Sequence, residues 1–148
     1  MLRRLVTAAA VLAGLHALPA QALEFRSVKE TGVALYEAPA LSAKKLFLVS
    51  RYYPVEVLSS QKDWARVRDA TGGIAWIPQA ALSGQRWLLV TADQAVVRAT
   101  ASADGQPLFS VARDGVLQWQ EAPKDGWVKV KHRDGSSGFA RITDLWGL

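Results

Sequence analysis

The chain has 148 residues, no cysteine and a formal net charge of +5. Without cysteine there is no disulfide, no thiol nucleophile, no thiolate metal site and no lipid-bearing cysteine, so packing alone must hold the fold. The charge excess is mild: without Arg3 and Arg4 it falls to +3, 16 basic residues against 13 acidic. The basic residues Lys44, Lys45, Arg66, Arg68, Lys129, Lys131, His132 and Arg133 alternate with apolar ones, which fits a solvated strand face better than a nucleic-acid patch.

Residues 1–22 differ from the rest. Arg3 and Arg4 give a positive start, Leu5 to Leu18 is apolar apart from Thr7, Gly14 and His16, and Pro19 precedes Ala20-Gln21-Ala22. Charged start, short apolar run and small-residue ending form the secretory signal pattern. A membrane anchor would need about 20 apolar residues, more than this run supplies. The expectation is therefore a cleaved signal and a periplasmic product with no membrane anchor. Two adjacent arginines do not distinguish the general from the twin-arginine export route.

From Leu23 onward the chain repeats itself. Phe25-Arg26-Ser27-Val28 matches Trp87-Leu88-Leu89-Val90 at an offset of 62 (87 less 25), as do Val33, Leu35, Leu46 and Val49 with Ala95, Val97, Leu108 and Val111. Trp64-Ala65-Arg66-Val67-Arg68 then meets Trp127-Val128-Lys129-Val130-Lys131 at 63 (127 less 64). Gly72, Trp76 and Leu82 meet Gly135, Phe139 and Leu145 without a further gap. Two copies are too few for a solenoid, so each reads as a small domain, 23–83 and 86–148.

Within the first copy, Val33–Tyr36, Lys45–Ser50, Val55–Ser59, Trp64–Arg68 and Ile74–Ile77 read as short strands between turn residues. Asp134-Gly135 marks a hairpin turn in the second copy. No segment after the signal sustains a helical period. About five short strands in roughly 60 residues predict an all-β fold of two tandem small β-barrels, since closure removes exposed edges. Copies of this size bury only about 60% of their unfolded surface and are marginal alone. With only Ser83-Gly84-Gln85 between them, the two are expected to pack as one rigid unit.

The doubled pattern resembles the bacterial SH3-like domains: Trp64-x-x-Val67, Gly72, Ala75-Trp76-Ile77 and Leu82, then Trp127-x-x-Val130, Gly135, Gly138-Phe139-Ala140 and Leu145. The resemblance covers essentially the whole chain after the signal. It implies SH3-like β-barrel binding modules that work beside cell-wall enzymes, with peptidoglycan stem or bridge peptides among the ligands. A looser resemblance to eukaryotic SH3 domains lies in Ala34-Leu35-Tyr36-Glu37 and Trp76-Ile77-Pro78. There the resemblance implies a groove tyrosine where Ala81 stands. In the second copy Arg98 replaces Tyr36, and Ala140-Arg141 replaces Ile77-Pro78. With half the aromatic cradle missing, proline-peptide recognition is not expected.

Catalytic constellations are not found. His132 is the one histidine after the signal and sits between Lys131 and Arg133, while Asp63, Asp69, Asp125 and Asp134 occupy turns. The expectation is a non-enzymatic protein with no metal and no cofactor. The six tryptophans stand out instead. Phe25, Trp87, Phe47 and Phe109 read as structural. Tyr36, Tyr52, Tyr53, Trp64, Trp76, Pro78 and Trp119 are candidates for a peptide or glycan-peptide groove. Two functional readings follow: a binding module for cell-wall peptide or peptidoglycan, and a periplasmic protein–protein adaptor or assembly factor. The adaptor would use the apolar ending Asp144-Leu145-Trp146-Gly147-Leu148, whose other reading is docking onto or between the barrels.

Overall fold

A computed structural model describes residues 22–148. The expected signal segment, apart from Ala22, lies outside the described residues. Fourteen strands follow in order: β1 Phe25–Val28, β2 Val33–Tyr36, β3 Lys45–Val49, β4 Pro54–Gln61, β5 Trp64–Arg68, β6 Ile74–Pro78, β7 Leu82–Ser83, β8 Trp87–Val90, β9 Gln94–Arg98, β10 Pro107–Ala112, β11 Val116–Trp119, β12 Trp127–Lys131, β13 Ser137–Arg141 and β14 Leu145–Trp146. Single 3₁₀ turns, Gln79–Ala81 and Ile142–Asp144, precede β7 and β14. No helix among the described residues is long and apolar enough to cross a membrane.

The strands form two seven-stranded antiparallel sheets, ordered β3-β2-β6-β5-β4-β1-β7 and β10-β9-β13-β12-β11-β8-β14. The second order is the first advanced by seven, so the sequence repeat is a repeat of topology. The expected five strands per copy become seven. The two-residue β7 and β14 are too short to show an alternating pattern, and they pair with β1 and β8. In each sheet the terminal strands, β3 and β7 or β10 and β14, remain edges in the ladder rather than pairing with each other.

Each sheet wraps its own core. Val28, Leu35, Val55, Ala65, Val67 and Ile77 are buried in the first; Val90, Val97, Leu117, Val128, Val130 and Ala140 take their places in the second. The pairs keep one offset up to Val55 and Leu117 and gain one residue by Ala65 and Val128, so the insertion falls in the hairpin between β11 and β12. There Asp125 and Gly126 both have positive φ, 52° and 85°, and the amide of Lys124 donates to Trp127 O at 2.8 Å. This is the backbone that a two-residue hairpin turn requires.

The edge strands β3 and β10 share an irregularity: the register slips at Leu46 and at Leu108, between Leu35 and Tyr36 on one side and before Phe109 on the other. Bulges at such places bend an edge and discourage further pairing. Phe47 corrects an expectation. It is 49% exposed, because β3 is an edge strand with four of its five residues facing solvent. Phe109 packs against the second core as expected, and Phe25 and Trp87 are buried.

The copies differ where β13 meets β9. A Cβ on Gly138 would lie 2.5 Å from the carbonyl oxygen of Arg98 and 2.8 Å from Val97 Cγ1, whereas the first copy has Ala75 at this place. Backbone cannot yield as a side-chain tip can, so overpacking here is costly. Gly138→Ala is expected to lower stability by about 1–3 kcal/mol, read as a reduced urea midpoint. An unchanged midpoint would show that β9 and β13 separate without cost.

Candidate functional site

Pairing of β2, β5 and β6 gathers four of the seven candidate residues on one face of the first sheet. Tyr36 is the partner of Trp76, and Trp64 is the partner of Pro78. The Tyr36 and Trp64 rings meet edge to face with centroids 5.3 Å apart, the geometry that brings a positive ring edge to a negative ring face. Tyr36 is only 7% exposed, so it supports this face rather than presenting itself. Trp64, Trp76 and Pro78 are half-buried and form the accessible part.

The equivalent face of the second sheet forms a distinct cleft of about 330 Å³. Trp127 and Phe139, the repeat partners of Trp64 and Trp76, line it with Ala101, Glu121, Lys124 and Lys129. Trp127 is held from one side by the Arg141 guanidinium, 4.9 Å from its ring centre. Lys129 Nζ donates to Glu121 Oε1 at 3.1 Å across the rim. Arg98, in the place of Tyr36, donates through Nη1 to Gly105 O at 2.9 Å and so anchors the loop that carries Ala101. An arginine here replaces ring support by loop support. Trp127 and Phe139 were not among the candidates, although the repeat pairs them directly with Trp64 and Trp76.

The other three candidates lie where the two sheets meet. Tyr52 stacks on Trp87 of the second sheet, with centroids 3.9 Å apart and planes 18° from parallel. Trp119 lies under the Arg86 guanidinium at 4.8 Å, and Arg86 also covers the Phe25 ring at 5.4 Å. Arg86 Nη2 donates to Gly147 O at 2.7 Å, and burial lowers this arginine's pKa from its ordinary value. Phe25 meets Trp146 edge to face at 5.2 Å, so the apolar ending docks between the sheets. Tyr53 packs against the first core, and its hydroxyl accepts a hydrogen bond from the Ala70 amide at 3.3 Å. Burial raises its pKa, with smaller upward contributions from Asp69 and Asp114.

Among the described residues no three His, Cys, Asp or Glu side chains lie together to hold a metal ion. His132 pairs with Asp134 at 3.3 Å in an exposed turn. Asp69 accepts from the amides of Thr71 and Gly73, the backbone-bonding role expected of turn aspartates.

Two equivalent antiparallel sheets, each with an aromatic cluster on the same face, define a tandem all-β protein. Models of the bacterial SH3 domain match residues 31–83 and 91–147, and the chain belongs to that family, with two copies in tandem. No curated protein matches it. Among solved structures it is similar to NlpC2 from Trichomonas vaginalis, at 17% identity and TM-score 0.40, covering 86% of this chain and 49% of that one. It is also similar to NlpC1 from the same organism, at 17% and 0.39, covering 93% and 50%. An NlpC/P60 family protein from Bacillus cereus matches at 14% and 0.38, covering 83% and 56%. The chain spans about half the length of these structures.

The burial of Tyr36 sets a testable contrast. Tyr36→Ala removes a ring packed against Trp64 and is expected to cost about 3–5 kcal/mol, whereas Tyr36→Phe keeps the ring and is expected to cost under about 1.5 kcal/mol. Thermal or urea unfolding checks both. Equal, small losses would mean that the ring does not support this face.

Proposed function

We propose that the chain is an exported, non-catalytic module that binds cell-wall peptide or peptidoglycan through the aromatic faces of its SH3 domains. The observation that carries this reading is the cleft in the second domain, where the half-buried Phe139 ring, backed by the buried Trp127, faces a rim of Lys124, Lys129 and Glu121. Rings of this kind take apolar and backbone surface of an extended ligand, while rim charges fix its orientation. Trp64, Trp76 and Pro78, supported by Tyr36, form the counterpart in the first domain. The mild positive charge favours approach to an acidic polymer, and the signal-like start of the chain suits a periplasmic site. Family membership supports the class of ligand by analogy only.

The adaptor reading relies on Trp146 and Leu148 as a free apolar surface. Trp146 is half-buried against Phe25, and Leu148 is half-buried against the second core, so docking between the domains takes up part of that surface. In this proposal Tyr52 and Trp119 hold the domains together, and Tyr53 belongs to a different cleft.

Co-sedimentation of the chain from residue 23 with purified peptidoglycan tests the reading at low and moderate salt. Binding is expected to persist at moderate salt. The double variant Trp76→Ala/Phe139→Ala, with a folded circular dichroism spectrum, is expected to bind about tenfold more weakly, equivalent to about 1.4 kcal/mol. No retention of the wild type at either salt would overturn the proposal, and undiminished binding by the double variant would place the contact elsewhere.

A further inference from the structure

Beside the seam between the domains lies a cleft of about 480 Å³ to which both contribute. Leu48 and Tyr53 from the first domain and Leu89 and Val116 from the second give it apolar walls. Its charged groups are Arg51 from the first domain and Arg133 and Asp114 from the second. Among the described residues, neither arginine is ion-paired with a carboxylate. Leu48 is 65% exposed, so the apolar wall is open to a ligand.

The seam positions these groups. The Arg51 amide donates to Thr31 Oγ1 at 3.3 Å, and its guanidinium lies 4.8 Å from the ring centre of Tyr52, the residue stacked on Trp87. Asp114 has φ of 68°, and its amide donates to Val90 O at 2.9 Å, which holds the turn that carries it. Two guanidinium forks that no carboxylate of the chain occupies match planar carboxylates, which they can bind through paired hydrogen bonds. One carboxylate among them suits an ammonium. Apolar walls between these charges suit the short aliphatic stretch of a peptide.

We propose that this inter-domain cleft is a second binding site, for a short acidic peptide. Arg51 and Arg133 take its carboxylates, Asp114 its amino terminus, and Leu48, Tyr53 and Val116 its backbone and side-chain carbons. The inference rests on the cell-wall peptide reading for its compartment and ligand class, and it adds the chemistry that selects among such peptides.

An amide-resolved NMR titration of the chain from residue 23 tests it, using the peptide Ala-Glu-Ala with free termini against amidated Ala-Gln-Ala at equal ionic strength. The acidic peptide is expected to shift the amides of Arg51, Asp114, Gly115 and Arg133 saturably, with at least fivefold weaker binding of the peptide that lacks carboxylates. Arg51→Ala and Arg133→Ala are each expected to weaken binding at least threefold while the spectrum stays dispersed. Asp114→Asn, a residue that tolerates positive φ, is expected to weaken the free-amine peptide but not its acetylated form. Equal response to both peptides, or no shift in the cleft, would overturn the inference. Shifts confined to Trp127 and Phe139 would overturn it while leaving the cell-wall reading intact. Cleft shifts without peptidoglycan sedimentation would uphold it and reject that reading.

Discussion

The arrangement depends on one side chain at the junction of the two halves. Arg86 follows the short connection Gly84-Gln85 and places its guanidinium against the rings of Phe25 and Trp119, one from each domain. Arg86 is half-buried, and ring faces and the Gly147 carbonyl meet part of its charge, while its buried Nε has no hydrogen-bond partner among the described residues. The same contact draws in the last residues: Gly147 lies against Pro54 and Leu88, and Trp146 against Phe25. Ser27, buried in β1, donates to Gln85 O at 2.7 Å and fixes the connection itself. Two domains that would each be marginal alone share a covered boundary, and the cleft containing Arg51 and Arg133 lies beside it.

The repeat has kept its interior and changed its surfaces. Equivalent core positions hold Val28 and Val90, Val55 and Leu117, or Val67 and Val130, with similar volume and the same register. On the face of β2, β5 and β6, Tyr36 supports Trp64 by ring contact. In the second domain Arg98 and Gly138 replace Tyr36 and Ala75, Gly138 leaves no room for a Cβ beside the Arg98 carbonyl, and Trp127 and Phe139 line a cleft. The two repeats therefore carry aromatic faces of different shape.

Much of the fold is legible in the sequence because strand alternation and turn residues are local. Trp64-Ala65-Arg66-Val67-Arg68 shows its two faces directly, and the buried residues are Ala65 and Val67. Two-residue strands such as Leu82–Ser83 are not legible, because they are defined by their partner, β1, rather than by any pattern of their own. Phe47 misleads for the opposite reason: an aromatic in an apolar run reads as core, yet only the sheet order shows that its strand is an edge. The roles of Tyr52 and Trp119 depend on contacts between copies, which leave no period in either. Trp127 and Phe139, by contrast, stand at the repeat positions of Trp64 and Trp76, and the alignment of the halves was sufficient to find them.

The rigid seam is tested most directly by ¹⁵N relaxation of the chain from residue 23, with Arg86→Ala as comparison. One rotational diffusion tensor is expected to describe the amides of both sheets in the wild type, and separate correlation times are expected once Arg86 is removed. Independent tumbling of the two halves in the wild type would contradict the account, because neither the seam nor the cleft beside it would then hold a single geometry.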